Sequence, residues 1–147
     1  MMRRTGVPAA MPAVLLAALL VAGCGGGSAV SNLGTVVKGA KGSTVRVELR
    51  SGQRFSLAVA DNPSVGDNWD LVAVPDPKVA SFISEESKRK GEGVGAGGTT
   101  YFVFNSKRPG TTQIRLRDCW RCGQSTTPPD EESRRQSGEA VFDVTVK

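Results

Sequence analysis

The side chains best suited to chemistry in this 147-residue sequence are its three cysteines, and Cys119 and Cys122 have only two residues between them. Such a pair can close a tight disulfide-bonded turn, because the two Cα atoms can come within the distance that a disulfide spans. The alternative is a thioredoxin-like redox site, which requires a βαβ unit with the first cysteine at a helix N-terminus. A strand-like run precedes the pair and Gly-Gln-Ser-Thr-Thr-Pro-Pro follows it. We therefore favour a disulfide over redox chemistry.

Histidine is absent from the sequence. Its absence excludes catalytic triads and metal sites built on imidazole, and no pair of carboxylates lies in a recognisable catalytic context. We therefore expect the protein not to be an enzyme and to carry no catalytic residue, no metal and no cofactor.

A glycine-rich segment, residues 91–98, contains the spacing G-x-G-x-x-G at Gly93, Gly95 and Gly98. In dinucleotide-binding proteins this pattern follows a strand and opens a helix, whose first amides meet the pyrophosphate. Here the pattern follows the charged run of residues 85–90 and opens into the strand-like Thr-Thr-Tyr-Phe-Val-Phe. Nucleotide binding is therefore not expected, and we interpret the charged run as part of a solvated loop.

The first 23 residues differ from the rest, with Arg3 and Arg4 followed by an apolar stretch at residues 13–22. That stretch is shorter than the ~20 apolar residues of a membrane-spanning helix and is typical of a removable signal peptide. It ends in Val-Ala-Gly-Cys24, which looks like a bacterial lipobox. We predict cleavage before Cys24 and lipidation of its sulfur. This would anchor the protein on the extracytoplasmic face of a bacterial membrane.

Cleavage would divide the chain into a signal peptide at residues 1–23, a lipidated flexible tether at residues 24–42 and one domain at residues 43–147. Cys119 and Cys122 would remain as an even pair in an oxidising compartment. The mature chain would keep 17 basic residues, because the signal removes two of the 19, against 14 acidic ones. A net charge of +3 that is dispersed along the chain does not indicate nucleic-acid binding.

Short alternating segments recur from residue 44 onward, between turns rich in glycine and proline. A period of two predicts half-buried strands, and no segment shows helical periodicity. About seven strands in ~100 residues predict an all-β, immunoglobulin-like β-sandwich. The polar residues 125–138 are expected to form a mobile loop before the last strand. The strands are predicted near residues 44–50, 55–59, 69–74, 79–84, 99–106, 111–117 and 140–146.

Three connecting segments differ from ordinary turns, and we name them loop 1 (residues 61–69), loop 2 (residues 91–98) and loop 3 (residues 117–122). In loop 1, Asn62-Pro63 favours the start of a turn and Gly66 can adopt positive φ.

Taken together, the three loops resemble those of the chagasin family, the inhibitors of papain-like cysteine proteases. Its members have an immunoglobulin-like sandwich with three binding loops at one edge, marked in order by NPTTG, GxGG and RPW. The resemblance spans residues 42–147. The matching residues are Asn62, Pro63, Gly66 and the later Trp69 in loop 1, Gly95, Ala96, Gly97 and Gly98 in loop 2, and Trp120 in loop 3.

The resemblance implies reversible, competitive blockade of a papain-like protease by a monomeric inhibitor. Residues 62–66 would enter the cleft near the catalytic cysteine. Gly95, Gly97 and Gly98 would let the backbone lie along the substrate groove, since they have no Cβ. Trp120 would pack against the enzyme surface beside the cleft.

The loops also depart from the family pattern. Ser64 and Val65 replace the Thr-Thr pair, Asp67 stands where an aromatic residue is common, and Asp118 replaces a cation. We expect the two carboxylates either to repel an acidic rim of the cleft and narrow the range of targets, or to mark a loss of inhibition. Trp69 is assigned to the same edge, with a place in the core or in support of the loop favoured over direct contact.

The competing interpretation is a non-inhibitory, envelope-anchored immunoglobulin-like domain that uses this edge for binding or assembly with another kind of partner. An inhibitor should lose potency when Gly97 becomes bulky or Trp120 becomes Ala. A domain with the other function would tolerate both changes.

Overall fold

The computed structural model describes residues 32–93 and 95–147; the predicted signal peptide, Cys24 and the first part of the predicted tether lie outside these residues. No helix in the described part is long and apolar enough to cross a membrane. Its elements are β1 (Thr35–Gly39), β2 (Thr44–Leu49), β3 (Arg54–Asp61), a 3-10 turn (Pro63–Val65), β4 (Trp69–Ala73), β5 (Ala80–Arg89), β6 (Gly98–Ser106), β7 (Gly110–Asp118), α1 (Glu131–Gln136) and β8 (Gly138–Val146).

The strands form two four-stranded sheets, with the orders β1-β3-β6-β5 and β2-β8-β7-β4. β1 runs parallel to β3 and β2 runs parallel to β8, whereas all other neighbours in the described sheets are antiparallel. The parallel pairing means that β1 begins at the end of the sandwich opposite the end where β3 stops. The predicted immunoglobulin-like sandwich is confirmed.

The core lies between the sheets and follows the alternation of the sequence. In β2, Val47 and Leu49 are buried whereas their neighbours Arg46 and Glu48 are exposed. The rings of Phe55 and Phe104 stack with their centroids 5.3 Å apart across the β3–β6 pair. Each fully buried phenylalanine contributes about 1.5–3 kcal/mol through removal of apolar surface from water. The phenylalanines without exposed surface are Phe55, Phe102, Phe104 and Phe142.

The described part has eight strands where about seven were predicted, and the additional strand is β1. Its residues lie in the segment predicted to be a tether, so the prediction that the tether extends to residue 42 is wrong. β1 pairs with β3 from Thr35 to Gly39, and Val37 packs against the core. The sequence of β1, Thr-Val-Val-Lys-Gly, does not alternate between apolar and polar residues, so it does not stand out from the glycine-rich segment around it.

The charged run before loop 2 is also a strand and not a loop. β5 continues to Arg89 and pairs with β6 as far as Gly98, with an irregularity in register between Phe82 and Ser84. β5 is the outer strand of its sheet. Charged side chains are common on such strands because they discourage pairing with other molecules.

The polar segment predicted to be a mobile loop contains α1. The Asp130 side chain caps the helix by accepting a 2.7 Å hydrogen bond from the backbone N–H of Ser133. Acidic residues occupy the first turn and arginines the last, which suits the helix dipole. At six residues, α1 is too short to show hydrophobic periodicity.

Candidate functional site

The three loops meet at one end of the sandwich because loop 1 connects the two sheets. Its first residue, Asp61, pairs with Gly98 at the end of loop 2. Its last residue, Trp69, pairs with Asp118 in loop 3. Strand pairing therefore places loop 2 on one side of loop 1 and loop 3 on the other. We call the surface formed by these three loops the loop edge.

Loop 1 is a compact turn that is held by its own backbone. The Asn62 carbonyl accepts hydrogen bonds from the N–H groups of Val65 at 3.1 Å and Asp67 at 3.3 Å. Pro63 stands at the start of the 3-10 turn, where its fixed φ is favourable, and Gly66 ends the turn with φ +116°. The predicted turn start and the positive φ are both present. Pro63, Ser64 and Val65 are exposed at the tip.

Loop 2 contacts loop 1 directly. The Asn62 side-chain amide donates a 3.2 Å hydrogen bond to the Gly95 carbonyl. Loop 2 is closed by the Lys90 N–H, which donates to the Gly97 carbonyl at 3.0 Å, and it opens into β6 and not into a helix. This is the setting expected of a connection between strands and not of a nucleotide site.

The glycines of loop 2 differ in whether the fold of the free protein requires a glycine at their position. A Cβ on Gly98 would collide with the backbone carbonyl of Lys88, and Gly95 has a φ of +83°. Both residues are therefore required by the fold. A Cβ on Gly97 would make ordinary contacts at 3.6 Å with the Asn62 side chain. At Gly97, as at Gly91 and Gly93, neither a clash nor a positive φ in the free protein requires glycine.

Loop 3 is a disulfide-closed turn. Cys119 and Cys122 are bonded to each other and nearly buried, so the predicted disulfide is present. They follow β7 in a turn, without the βαβ unit that a thioredoxin-like site requires. Between them, the Arg121 N–H donates a 2.8 Å hydrogen bond to the Gly66 carbonyl of loop 1.

Trp120 lies half-buried at the rim of the loop edge. Its backbone N–H donates to the Ser137 hydroxyl at 2.9 Å, which connects loop 3 to the residue that follows α1. The Arg121 guanidinium lies 4.2 Å from the Trp120 ring centroid, in cation–π geometry. Trp120, which was predicted from the sequence to contact the partner, is therefore stacked with Arg121. A role for Arg121 was not predicted.

Trp69 is part of the core and not of the exposed surface. It is only 6% exposed, and its indole N–H donates a 3.0 Å hydrogen bond to the Ala60 carbonyl. It belongs to the cluster of apolar side chains between the sheets. Trp69 therefore lies in the core, as favoured from the sequence, and has little surface left for direct contact.

The two unusual carboxylates point into the protein. Asp118 is fully buried and accepts hydrogen bonds from the Asn68 N–H at 2.7 Å and from the Lys41 ammonium at 2.6 Å. Asp67 is mostly buried and accepts a 2.8 Å hydrogen bond from the Asn62 N–H. The alternative in which these carboxylates repel an acidic rim of the cleft is therefore wrong, and the alternative of a loss of inhibition stays a prediction.

Burial raises the pKa of Asp67 above its ordinary value, and the nearby charge of Asp118 raises it further. The Asn62 amide and the Lys41 ammonium lower the pKa of Asp67 and partly offset this rise.

Lys41 was not singled out in the sequence, because no local pattern connects it with loops that are far away along the chain. The segment before α1 did carry a signal, since Asp130 begins a helix-capping pattern.

The exposed tip of loop 1 and the bonds between the loops suit the loop edge to binding. Within residues 32–93 and 95–147, both cysteines are consumed by the disulfide, and no cluster of ligating side chains could hold a metal ion. The loop 1 tip offers a proline, a hydroxyl and a valine. Hydrogen bonds between neighbouring loops hold this surface in one shape before any partner arrives.

The comparison with protein families finds a match. The model described as "Chagasin family peptidase inhibitor I42" matches residues 48–134, which is more than half of the chain and includes all three loops. The comparison with curated proteins finds no match.

Three solved structures share the fold. The cysteine protease inhibitor EhICP2 from Entamoeba histolytica is 14% identical with a TM-score of 0.51, and the match covers 77% of this chain and 96% of that one. Amebosin is 14% identical with a TM-score of 0.50, and the match covers 77% and 98%. PbICP-C, solved in complex with falcipain-2, is 16% identical with a TM-score of 0.52, and the match covers 78% and 100%.

Proposed function

The chain belongs to the chagasin family of peptidase inhibitors, and on this premise we propose that it inhibits papain-family cysteine peptidases. Inhibition is reversible and competitive, because loops 1, 2 and 3 fill the active-site cleft of the enzyme. The observation that carries the proposal is the direct hydrogen bonding of loop 1 to both neighbours. Asn62 is bonded to Gly95 on one side, and Gly66 is bonded to Arg121 on the other.

Papain-like proteases hold a reactive thiolate in a groove that accepts an extended substrate. A rigid wedge can occupy this groove without presenting a peptide bond in a geometry open to attack. In the proposed complex, the exposed tip at Pro63, Ser64 and Val65 enters the groove beside the thiolate. Gly97 lets the loop 2 backbone approach one wall, and Trp120 packs on the other side.

Affinity in this scheme depends on order that is already present in the free protein. Loops that are fixed before docking lose less conformational entropy on binding. The disulfide of loop 3 supports this order where the family pattern has a proline, because it brackets Trp120 and Arg121. Blockade is non-covalent in this scheme, because both sulfurs of loop 3 are bonded to each other and buried, which shields the disulfide from attack by the protease thiolate.

We also propose that the protein is a lipoprotein anchored through Cys24. The topology of the domain is compatible with such an anchor, because β1 begins at the end of the sandwich opposite the loop edge. Residues 25–34 can span at most about 35 Å. A lipid at Cys24 would therefore hold the domain close to the membrane while the loop edge points away from it.

The inhibitory function is tested by titrating papain and a cathepsin L-type enzyme with soluble residues 25–147. All residues of the described core lie within this segment. The protease is activated first and excess thiol is then removed, so that the disulfide survives. We expect reversible, competitive inhibition at nanomolar concentration. A folded sample that does not inhibit at micromolar concentration would favour the alternative, an envelope-anchored binding or assembly domain.

Lipidation is tested separately in a bacterial host that processes lipoproteins. We expect labelled palmitate to be incorporated into the full chain and not into the Cys24→Ser variant. Label in both proteins, or in neither, would contradict the proposed anchor without affecting the inhibition experiment.

A further inference from the structure

Lys41 lies in the turn between β1 and β2, at the same end of the sandwich as the loop edge. Its ammonium donates to the Asp118 carboxylate at 2.6 Å and to the Gln136 carbonyl at 2.8 Å. It lies 3.7 Å from a carboxylate oxygen of Asp67. One cation therefore connects loop 1, loop 3 and the last residue of α1.

The two carboxylates that Lys41 bridges each hold one end of loop 1. Asp67 accepts the backbone N–H of Asn62 at 2.8 Å, where the loop begins. Asp118 accepts the backbone N–H of Asn68 at 2.7 Å, where the loop returns to the sheet. The position of loop 1 relative to loop 3 therefore depends on two anionic side chains staying together.

Two carboxylates with little exposed surface repel each other unless a cation lies between them. Lys41 is the described cation that lies within ion-pair distance of both. The turn that carries it is itself fastened to the core sheets, because the Gly42 N–H donates to the Glu139 carbonyl at 2.7 Å. Removal of the ammonium would leave Asp67 and Asp118 facing each other at the base of loop 1.

We propose that Lys41 is a positioning residue for the loop edge, and that its charge keeps loop 1 in register with loop 3 for docking. The inference rests on the proposed inhibitory function for its binding consequence but not for its structural one. Lys41 needs no contact with the partner. Its effect reaches the partner through Asn62, Asn68 and the loop that these residues bound.

The test compares Lys41→Met and Lys41→Arg in residues 25–147. Lys38→Met is the matched control, because Lys38 is exposed on β1 only three residues away. The first readout is the inhibition constant against papain. The second is the hydrogen-exchange rate of the Asn62 and Asn68 amides. The Lys90 amide serves as an internal reference, since it bonds within loop 2.

We expect Lys41→Met to raise the inhibition constant about tenfold, because a loop freed before docking must be ordered on binding. Exchange at Asn62 and Asn68 should accelerate while exchange at Lys90 stays unchanged. Lys41→Arg and Lys38→Met should leave both readouts near those of the parent protein. Adding Asp67→Asn to Lys41→Met should restore both, because it removes the repulsion that the missing cation leaves behind.

A folded Lys41→Met variant with unchanged inhibition and exchange would overturn the inference. So would a double variant that recovers neither readout, because loss of charge compensation would then not be the cause. If Lys41→Met does not fold, the double variant decides alone: a folded protein with parental exchange supports the inference, and any other result opposes it. If the parent protein does not inhibit, the proposed function fails, and the exchange rates still decide the role of Lys41.

Discussion

The backbone N–H of Arg121 donates a 2.8 Å hydrogen bond to the carbonyl of Gly66, and this bond joins loop 3 to loop 1. Both residues have positive φ, +116° at Gly66 and +52° at Arg121. Arg121 is the one non-glycine residue with positive φ in the described part of the chain. The disulfide on either side of it supports a conformation that most side chains avoid.

Gly66→Ala should weaken both the fold and inhibition. A Cβ at this position would lie 2.5 Å from Cγ of Arg121 and 3.3 Å from the Trp120 indole nitrogen, so loop 3 must move. We expect a loss of about 1–3 kcal/mol in the free energy of unfolding, together with at least a tenfold rise in the inhibition constant, which is about 1.4 kcal/mol. Denaturant unfolding and papain titration measure the two effects.

Gly52→Ala is the control for that variant. Gly52 also has positive φ, +79°, but a Cβ there meets no atom within 4 Å, and its turn lies at the opposite end of the sandwich. The Gly52→Ala variant should lose stability through backbone strain alone, and it should inhibit like the parent protein. If the two alanine variants inhibited equally well, the Gly66–Arg121 connection would have no part in binding.

Substitution of one tryptophan should weaken binding, and substitution of the other should lower stability. Trp120→Ala should raise the inhibition constant about thirtyfold, equivalent to about 2 kcal/mol, with little change in unfolding, because Trp120 lies at the rim. Trp69→Ala should lower the free energy of unfolding by about 3–5 kcal/mol, because it empties a buried site. Equal effects of the two substitutions on stability would contradict this division.

Gly97→Leu should abolish inhibition while the domain stays folded. The position does not have a positive φ, and a Cβ would make only ordinary contacts, at 3.6 Å with the Asn62 side chain and at 3.7 Å with the Asp61 carbonyl oxygen. The free protein can therefore accept the larger residue. Gly98→Ala is the contrasting variant, and we expect it to destabilise the β5–β6 pair. Circular dichroism, thermal unfolding and papain titration distinguish the two. Full inhibition by a folded Gly97→Leu protein would show that loop 2 does not enter the groove.

Replacing both cysteines of loop 3 by serine should lower the free energy of unfolding by about 2 kcal/mol, the entropy expected for closing a very small loop. Inhibition should weaken as well, because Arg121 would no longer be held in a left-handed conformation between two bonded neighbours. Denaturant unfolding and titration of the double serine variant measure both effects. An unchanged inhibition constant would show that the disulfide has no part in binding.

Asp67 should make the protein gain stability, relative to an Asp67→Asn variant, as the pH falls from neutral. Its pKa is raised in the folded state, so the folded protein takes up a proton before the unfolded chain does. At a pH above the pKa of Asp67 in the folded protein, the buried charge lowers stability. This penalty is relieved as the pH falls through that pKa, and no further stability is gained below the pKa of Asp67 in the unfolded chain. Unfolding curves of the two proteins between neutral pH and pH 4 test the sign. A loss of stability of the parent protein relative to Asp67→Asn on acidification would contradict it.

Much of the architecture follows from local pattern. The alternation of Val47 and Leu49 with charged neighbours placed β2 correctly, because a strand with one buried face imposes a period of two. Loop 1 could also be identified, because Asn62-Pro63 and Gly66 have turn preferences that act within a few residues. Of the elements that were missed, β1 has two adjacent valines and no alternation of apolar and polar residues, and α1 has six residues, less than two full turns.

The sequence by itself determined the sandwich and the order of the three loops, since strand alternation and turn chemistry depend on neighbouring residues. Only the tertiary structure decided which residues of those loops are free to meet a partner. It buried Trp69 and left Trp120 at the rim, and it turned Asp118 inward to a lysine 77 positions away. Burial and charge pairing arise between segments that are distant along the chain, and no local pattern contains them.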